Sequence, residues 1–443
     1  MRDFGIILAS ALEIIRLHGY ESIKKMAAIA DKQQHINSFR RSLEKAARPE
    51  TFKELIKLVA PRVLPGKRNL VYVLYQVDRI GQLSGELLHI KTLFERFYDR
   101  IIIVTGPIYN PHVNPNVFKV LGPKFINVVT EDPIIPLIGV CVGEHRTLSP
   151  NLDLLIWDAN HLWDVFRKEF IQGTPLASFQ LPNSMRLKGE AWMKQIGLDP
   201  SIPTVLLHVR DIRYRPDLSH HGHRCVDICN YRSAILVLVE KGYQVVRIGD
   251  SSNKPLENYP ASVIDLPFHP LYDNFLDVYF AATCVFAVNQ SSGPSQLIRG
   301  FKKPTLMVNR VVDWDINAPL EVLLFKHYIC KTTGRRLTYN QILERGLGEL
   351  TMDQEFEKAG VLLEENSSDE LKIALEEFIE TLEGRKNYST ETRDRFTEIG
   401  RKHELRIEGD INQNDKKGKK FGFAYSRGNL SQSPLELNAE FLN

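Results

Sequence analysis

The stretch TVLLHVRDIRYRPDLSHHGHRCVDICNYRSAILVLVEKGYQVVRIGD, residues 204–250, decides the fold. It opens on an apolar run, 204–209, and closes on another, 243–248, each with the length and β-branched content of a buried strand. Between them lies a polar loop with four arginines and three histidines, then an amphipathic helix from about 230 to 241. Two parallel strands need a crossover of this kind, so the stretch reads as a βαβ unit. Ligands of parallel sheets collect outside the carboxyl ends of the strands. Arg210 and Asp211 fall at the end of the first strand, and Arg247, Gly249 and Asp250 at the end of the second. Cationic side chains therefore gather where the fold places a ligand, which points to an anionic one.

Working outward, the same alternation runs in both directions. Upstream, strands are expected at 70–77, 100–106, 125–130 and 153–158, with helices at 78–97, 161–170 and 184–198. Downstream, strands are expected at 262–266, 284–289 and 304–309, with helices at 271–282 and 294–301. Such β-branched runs separated by helices give an α/β fold with parallel sheets. Pro200 and Pro203 mark a linker, so the chain reads as two Rossmann-like domains facing each other across a cleft. Residues 1–66 have apolar positions at helical spacing and form an N-terminal helical extension, which Pro61, Pro65 and Gly66 punctuate. The domains then cover 67–200 and 201–385. After Asn309 the alternation fades, although Ser367 and Glu370 form a capping box for a helix that Gly384 ends. Residues 386–443 read as a polar tail packed back on the body, with disorder around 409–420.

Composition narrows the function. A chain of 443 residues with 43% hydrophobic and 25% charged content suits a globular protein of two or three domains. The net charge of +3 and the lack of a basic stripe interleaved with aromatics disfavour nucleic acid. Lys416–Lys420 is the one basic cluster, and such a run reads as a solvated tail. Five cysteines are odd in number and few; Cys141 and Cys284 sit in apolar runs, which suits a reducing compartment. The apolar run at 4–12 is shorter than the ~20 residues of a spanning helix and lacks a signal-peptide layout. A cytoplasmic protein is expected, with a peripheral position at the inner membrane surface left open.

The residues that carry chemistry fall into three groups. Arg210 follows His208, and a guanidinium matches a phosphate bidentately. The run VNQSSGPSQLIRGF, 288–301, passes from a strand through Ser291, Ser292 and Gly293 into a helix with Pro294 in its first turn. Hydroxyls and amides at a positive helix end suit a phosphate, and Asn289 stands just before them. Arg224, Arg247 and Asp250 complete this donor-side group, although Arg247 could equally pair with Asp250. On the other domain, Arg79, Gly81, Gln82 and Gly85 lie where a strand passes into a helix, a loop that serves either a ligand or close packing. The cluster His220, His221, His223, Cys225, Cys229 lacks the distant second ligand pair of a zinc site, so no metal is expected. Trp314, between Asp313 and Asp315, reads as a stacking residue or a surface turn, and Tyr231 as a packing residue.

With HVRD, an HR pair, NY at a helix start, GY-VVRIGD and the strand–SSG–helix turn in order, the chain resembles an uncharacterised family of bacterial glycosyltransferases. That family is similar to the fucosyltransferase-like group with an H-x-R strand end, and the resemblance is strongest over 204–309. It implies the GT-B architecture and assigns the arginine of that motif, here Arg210, to the donor diphosphate. The family tends to carry R-I-G-H at the first turn of its first domain, where this chain has Gln82 in place of the histidine. It further implies an inverting, metal-independent transfer of a sugar from a nucleotide-sugar, needing no cofactor, to a glycan or glycolipid acceptor. Charge growing on the leaving diphosphate would be met by Arg210, with Arg224 or Arg247. Asp211, Glu86 and Asp78 are the carboxylates that could serve as the acceptor's base. A sugar-nucleotide epimerase of two-Rossmann design and an inactive sugar-nucleotide-binding module are the alternatives.

Overall fold

A computed structural model describes residues 30–77, 79–109, 113–140, 144–213, 221–313, 315–409, 427–436 and 438–443. Residues 1–29, Asp78, Cys141, His220, Trp314 and 410–426, each given an expectation above, lie outside the described residues. The chain forms an α/β protein of two compact units, with the main division along the chain between Phe179 and Gln180.

The first unit is built on β1 (Asn69–Val73), β2 (Arg100–Thr105), β3 (Phe125–Val129), β4 (Glu144–Ser149) and β5 (Leu152–Ile156). Its sheet has the order β3-β2-β1-β5-β4. All pairings are parallel except β4 with β5. β1 is buried at every position, as the NLVYV run requires of a central parallel strand. β4 was not foreseen: its sequence, EHRTLS, has no apolar alternation, and it pairs as the exposed edge of a hairpin. Of the expected helical extension, the described part is two helices, Ala30–Ala46 and Pro49–Val59, broken at Pro49. Leu55 and Val59 join Val71, Val73, Ile102 and Val104 in the core of this unit.

The second unit carries β6 (Thr204–His208), β7 (Gln244–Ile248), β8 (Val263–Asp265), β9 (Phe286–Asn289), β10 (Thr305–Arg310), β11 (Glu321–Phe325), β12 (His327–Cys330), β13 (Val361–Glu364) and β14 (Asn429–Leu430). Seven of these form one parallel sheet in the order β14-β11-β10-β9-β6-β7-β8, while β12 and β13 pair separately. Numbered within the unit, that is 3-2-1-4-5-6 with one strand added, the strand order of a dinucleotide-binding sheet. The order reverses between β6 and β9, and that is the topological switch point.

Two boundaries differ from expectation. Helix Asn183–Gln195 belongs to the second unit, because Gly189 lies flat on the ring of Tyr279 and Trp192 Nε1 donates to the carbonyl of Leu271 at 2.8 Å. The division therefore falls at 179/180 rather than at Pro200. The regular alternation also does not stop at Asn309: β11 extends the sheet and the C-terminal segment adds β14. Glu377, 2% exposed on helix Ser368–Leu382, fastens that segment. Its Oε2 accepts from Ser431 Oγ at 2.6 Å and from the Gln432 amide at 2.9 Å, and Lys386 Nζ lies 3.2 Å from Oε1.

Glu377→Ala would strand these buried donors, at a cost of about 1–3 kcal/mol. Urea denaturation should show that loss, together with faster amide exchange at Leu430 and Ser431. Unchanged stability would mean that the last strand holds itself in place.

Candidate functional site

The period of two along a strand sorts the central residues of the second unit into two faces. Val205, Leu207, Phe286 and Val288 point into the core shared with helices Arg232–Glu240 and Ser368–Leu382. Tyr231 packs in that core too, 1% exposed. His208 and Asn289 end their strands on the opposite face, one register step beyond the pair Leu207 and Val288. They meet there. His208 Nδ1 lies 3.1 Å from Asn289 Oδ1 and 3.0 Å from Ser292 Oγ, so the first strand, the fourth strand and the following helix join at one imidazole.

Hydrogen-bond roles follow from chemistry. The Gln290 amide donates to Asn289 Oδ1 at 2.8 Å, which fixes that atom as an acceptor. His208 Nδ1 must then carry a proton to bond it, and the Ser292 hydroxyl directs its own proton to the Gln290 carbonyl at 3.3 Å. Burial pushes the His208 pKa down to about 4, partly opposed by the Asn289 bond, with the charges of Arg210 and Arg247 adding to the fall. The ring is neutral at physiological pH.

Around this junction the donors outnumber the acceptors. The Arg210 amide donates to Gln290 Oε1 at 2.6 Å, which places Arg210 beside the 290–293 turn. Arg224 reaches the same turn and donates through Nη2 to the Ser291 carbonyl. Among the described residues neither guanidinium forms an ion pair. Burial pushes Arg224 down to about 10 and the charge of Arg210 adds to the fall, while the carboxylates of Asp313 and Asp315 oppose it from beyond ion-pair distance. Arg210 Nε, Asn289 Nδ2, Gln290 Nε2 and Ser291 Oγ are buried without hydrogen-bond partners. Helix Gly293–Gly300 begins there with Ser292 at its N-cap in extended backbone, no side-chain cap bond, and Pro294 in its first turn. Unpaired cations, orphaned donors and a helix N-terminus at a switch point suit an anion.

Not every expected residue joins this group. Arg247 is 2% exposed and engaged: its Nε and Nη2 donate to Asp265 at 2.8 and 2.9 Å, and Nη1 to the Lys254 carbonyl at 2.6 Å. Its partner is Asp265, not Asp250. Asp250 turns the chain after β7, accepting the Ser252 amide at 2.9 Å. Asp211 fixes a loop, its two oxygens accepting the amides of Arg213 and Lys254 at 2.9 Å each. Gln290, given no role from the sequence, holds the Arg210 amide, and Cys225, considered there only as a metal ligand, has its Sγ 3.9 Å from the His221 carbonyl. Gln290 stood in plain view between Asn289 and Ser291; the histidine–cysteine spacing marked Cys225 only for a metal, not for this turn. The histidine loop is gripped by Asp353, which accepts the His223 amide and lies 2.6 Å from His223 Nδ1.

The first unit has a buried acid at its own switch point, between β1 and β5. Helix Ile80–Phe94 places Arg79 at its N-cap, Gly81 and Gln82 in its first turn, and Gly85 and Glu86 buried in the next. The glycines thus lie within the helix rather than in a loop. Glu86 Oε2 accepts from Tyr72 Oη at 2.9 Å, and its Oε1 has no hydrogen-bond partner. Burial raises its pKa to about 8; the Tyr72 bond opposes this and the charge of Asp158, just after β5, adds to it.

Fold and site together define a parallel α/β protein with unpaired guanidinium groups at a topological switch point. No protein-family model matches the chain, and no curated protein matches it. Among solved structures it is similar to the E. coli ADP-heptose LPS heptosyltransferase II, at 12% identity and TM-score 0.35 over 54% of this chain and 84% of that one. A glycosyl transferase family 9 structure from Veillonella parvula aligns at 12% identity and TM-score 0.36, covering 55% and 80%. The E. coli heptosyltransferase WaaC with ADP-2-deoxy-2-fluoro heptose aligns at 13% and 0.30, covering 54% and 88%.

His208 should stay neutral on acidification to pH 5. Ring NMR shifts check this. The folded form gives up stability only as pH falls from the unfolded value near 6.5 toward the folded one at about 4. A ring that titrates near 6.5 in the native protein would refute the buried junction.

Proposed function

We propose that the chain is a glycosyltransferase that moves a sugar from a nucleotide-sugar to a glycan or glycolipid acceptor. One observation carries the reading: Arg210 and Arg224, both without carboxylate partners, stand against the turn that opens helix Gly293–Gly300 at the switch point of a parallel sheet. A nucleoside diphosphate is the leaving group that such a cradle suits. Negative charge grows on it as the glycosidic bond breaks, and fixed guanidiniums with a helix N-terminus stabilise that charge without reorganising. In this reading they do the work that a divalent cation does elsewhere, so the transfer is metal-independent, and a single displacement inverts the anomeric centre. Asn289, Ser291, Ser292 and Gly293 hold the diphosphate, while His208 positions the turn. Arg247, Asp250 and Asp211 shape the strand ends behind it.

The acceptor's proton needs a base whose pKa lies near the working pH. Glu86, raised to about 8 with one free oxygen, fits that need better than Asp211, whose oxygens both hold backbone amides. Arg79, Gly81, Gln82 and Gly85 belong to the same helix start and serve the acceptor side. Among the described residues no helix is long and apolar enough to cross a membrane; we place the reaction at the cytoplasmic face.

Arg210→Ala and Arg224→Ala should each weaken binding of a nucleoside diphosphate-sugar roughly 10- to 100-fold, as the loss of a charge-assisted hydrogen bond costs about 1.5–3 kcal/mol. Calorimetry across UDP-, GDP-, CMP- and ADP-sugars reads this. Variants that bind every donor as well as the wild type would sink the proposal.

Glu86→Gln should lower kcat while leaving donor affinity intact. It should also flatten the stability profile. A carboxyl raised to about 8 favours the folded form fully below the unfolded value near 4.5, and that advantage is lost as pH rises through 8. If kcat holds and the profile keeps its slope, Glu86 is neither base nor buried acid.

A further inference from the structure

The loop after β7 and the segment that follows Arg224 touch through one unusual pair. Cys229 is exposed in the 3-10 turn Ile228–Tyr231, and Lys254 Nζ lies 2.9 Å from its Sγ. Asp227 caps that turn by accepting the Cys229 amide at 3.0 Å, and its Oδ1 lies 3.4 Å from the same ammonium. The lysine backbone is held on both sides: its amide donates to Asp211 Oδ2 at 2.9 Å and its carbonyl accepts from Arg247 at 2.6 Å. The amine is thus presented to the sulfur from a fixed backbone. This differs from the chain's other described thiols, since Cys284 and Cys330 are buried and Cys225 is half-buried against Arg210.

We propose that Cys229 and Lys254 form a peroxide-driven, thiol-reversible covalent crosslink. Lys254 Nζ, 2.9 Å from Cys229 Sγ, holds a nitrogen where it can attack the sulfur once that sulfur is oxidised. In the first step the thiolate sulfur takes an oxygen from hydrogen peroxide, giving a sulfenic acid and, with one proton from solvent, water. Sulfenic acids condense with nearby nitrogen to sulfenamides. Here the lysine proton moves to the sulfenic oxygen, water leaves, and the nitrogen lone pair closes the S–N bond with release of a second proton. One peroxide is consumed and two waters form, so the linked product lacks two hydrogens relative to the free pair. A thiol reductant attacks the sulfur and returns cysteine and amine. The crosslink ties the 250–254 loop to the segment just after Arg224, and its chemistry is independent of the donor assignment.

The test needs no substrate. The full chain is treated with a small excess of hydrogen peroxide, digested and mapped by mass spectrometry with and without dithiothreitol. A linked peptide pair containing Cys229 and Lys254, two hydrogens light and released by dithiothreitol, is expected. It should be absent from Cys229→Ser and from Lys254→Arg, both checked by thermal melting for a native fold. In Lys254→Arg, Cys229 should instead go on to sulfinic acid. Wild-type protein in which Cys229 forms sulfinic acid with Lys254 unlinked, or a disulfide with Cys225, overturns the proposal.

Discussion

The second unit depends on a single neutral imidazole wedged where its sheet changes direction. A buried polar ring costs free energy unless it is hydrogen-bonded, and His208 is satisfied only because Asn289 ends the adjacent strand and Ser292 opens the next helix. Those three side chains join β6, β9 and helix Gly293–Gly300 at one point. A shift of one residue in either strand would send His208 and Asn289 to opposite faces. Register, helix entry and the position of the 290–293 turn are therefore coupled.

Electrostatics then separates structural arginines from the candidate ligand arginines. Arg247 is matched by Asp265, Arg299 by Glu321 at 2.7 Å, and Arg310 by Asp313 at 2.9 Å. Each of these is almost fully buried, where an unpaired charge would be strongly unfavourable. Arg210 and Arg224 are half-buried, near enough to repel, and have no such partner among the described residues. Three guanidiniums are thus neutralised by direct ion pairs, while Arg210 and Arg224 are left without one among the described residues, which is why the proposed anion is assigned to them.

Much of this was legible in the sequence, for physical reasons that also mark where legibility ended. Short β-branched runs such as TVLLH and QVVRI, bounded by turn signals, suit buried strands of a parallel sheet, and the capping box at Ser367 and Glu370 is present as expected. The Ser-Ser-Gly-Pro turn declared a helix start, because Pro belongs in the first turn. The polar edge β4 and the two-residue β14 carry no periodic signal, and their pairing is set by neighbours distant in the chain. Partner choice was equally hidden: Arg247 lay three residues from Asp250 yet pairs with Asp265, and nothing local revealed that Tyr72 would meet Glu86. Strand ends announce themselves, whereas which side chains face each other across them depends on register.

The most direct measurement is a crystal structure of the chain with a bound nucleoside diphosphate. The account predicts phosphate oxygens within about 3 Å of both the Arg210 and Arg224 guanidiniums and of the Gly293 amide, with His208 unmoved. A nucleotide seated elsewhere, or Arg210 turned onto a carboxylate beside an empty turn, would contradict it.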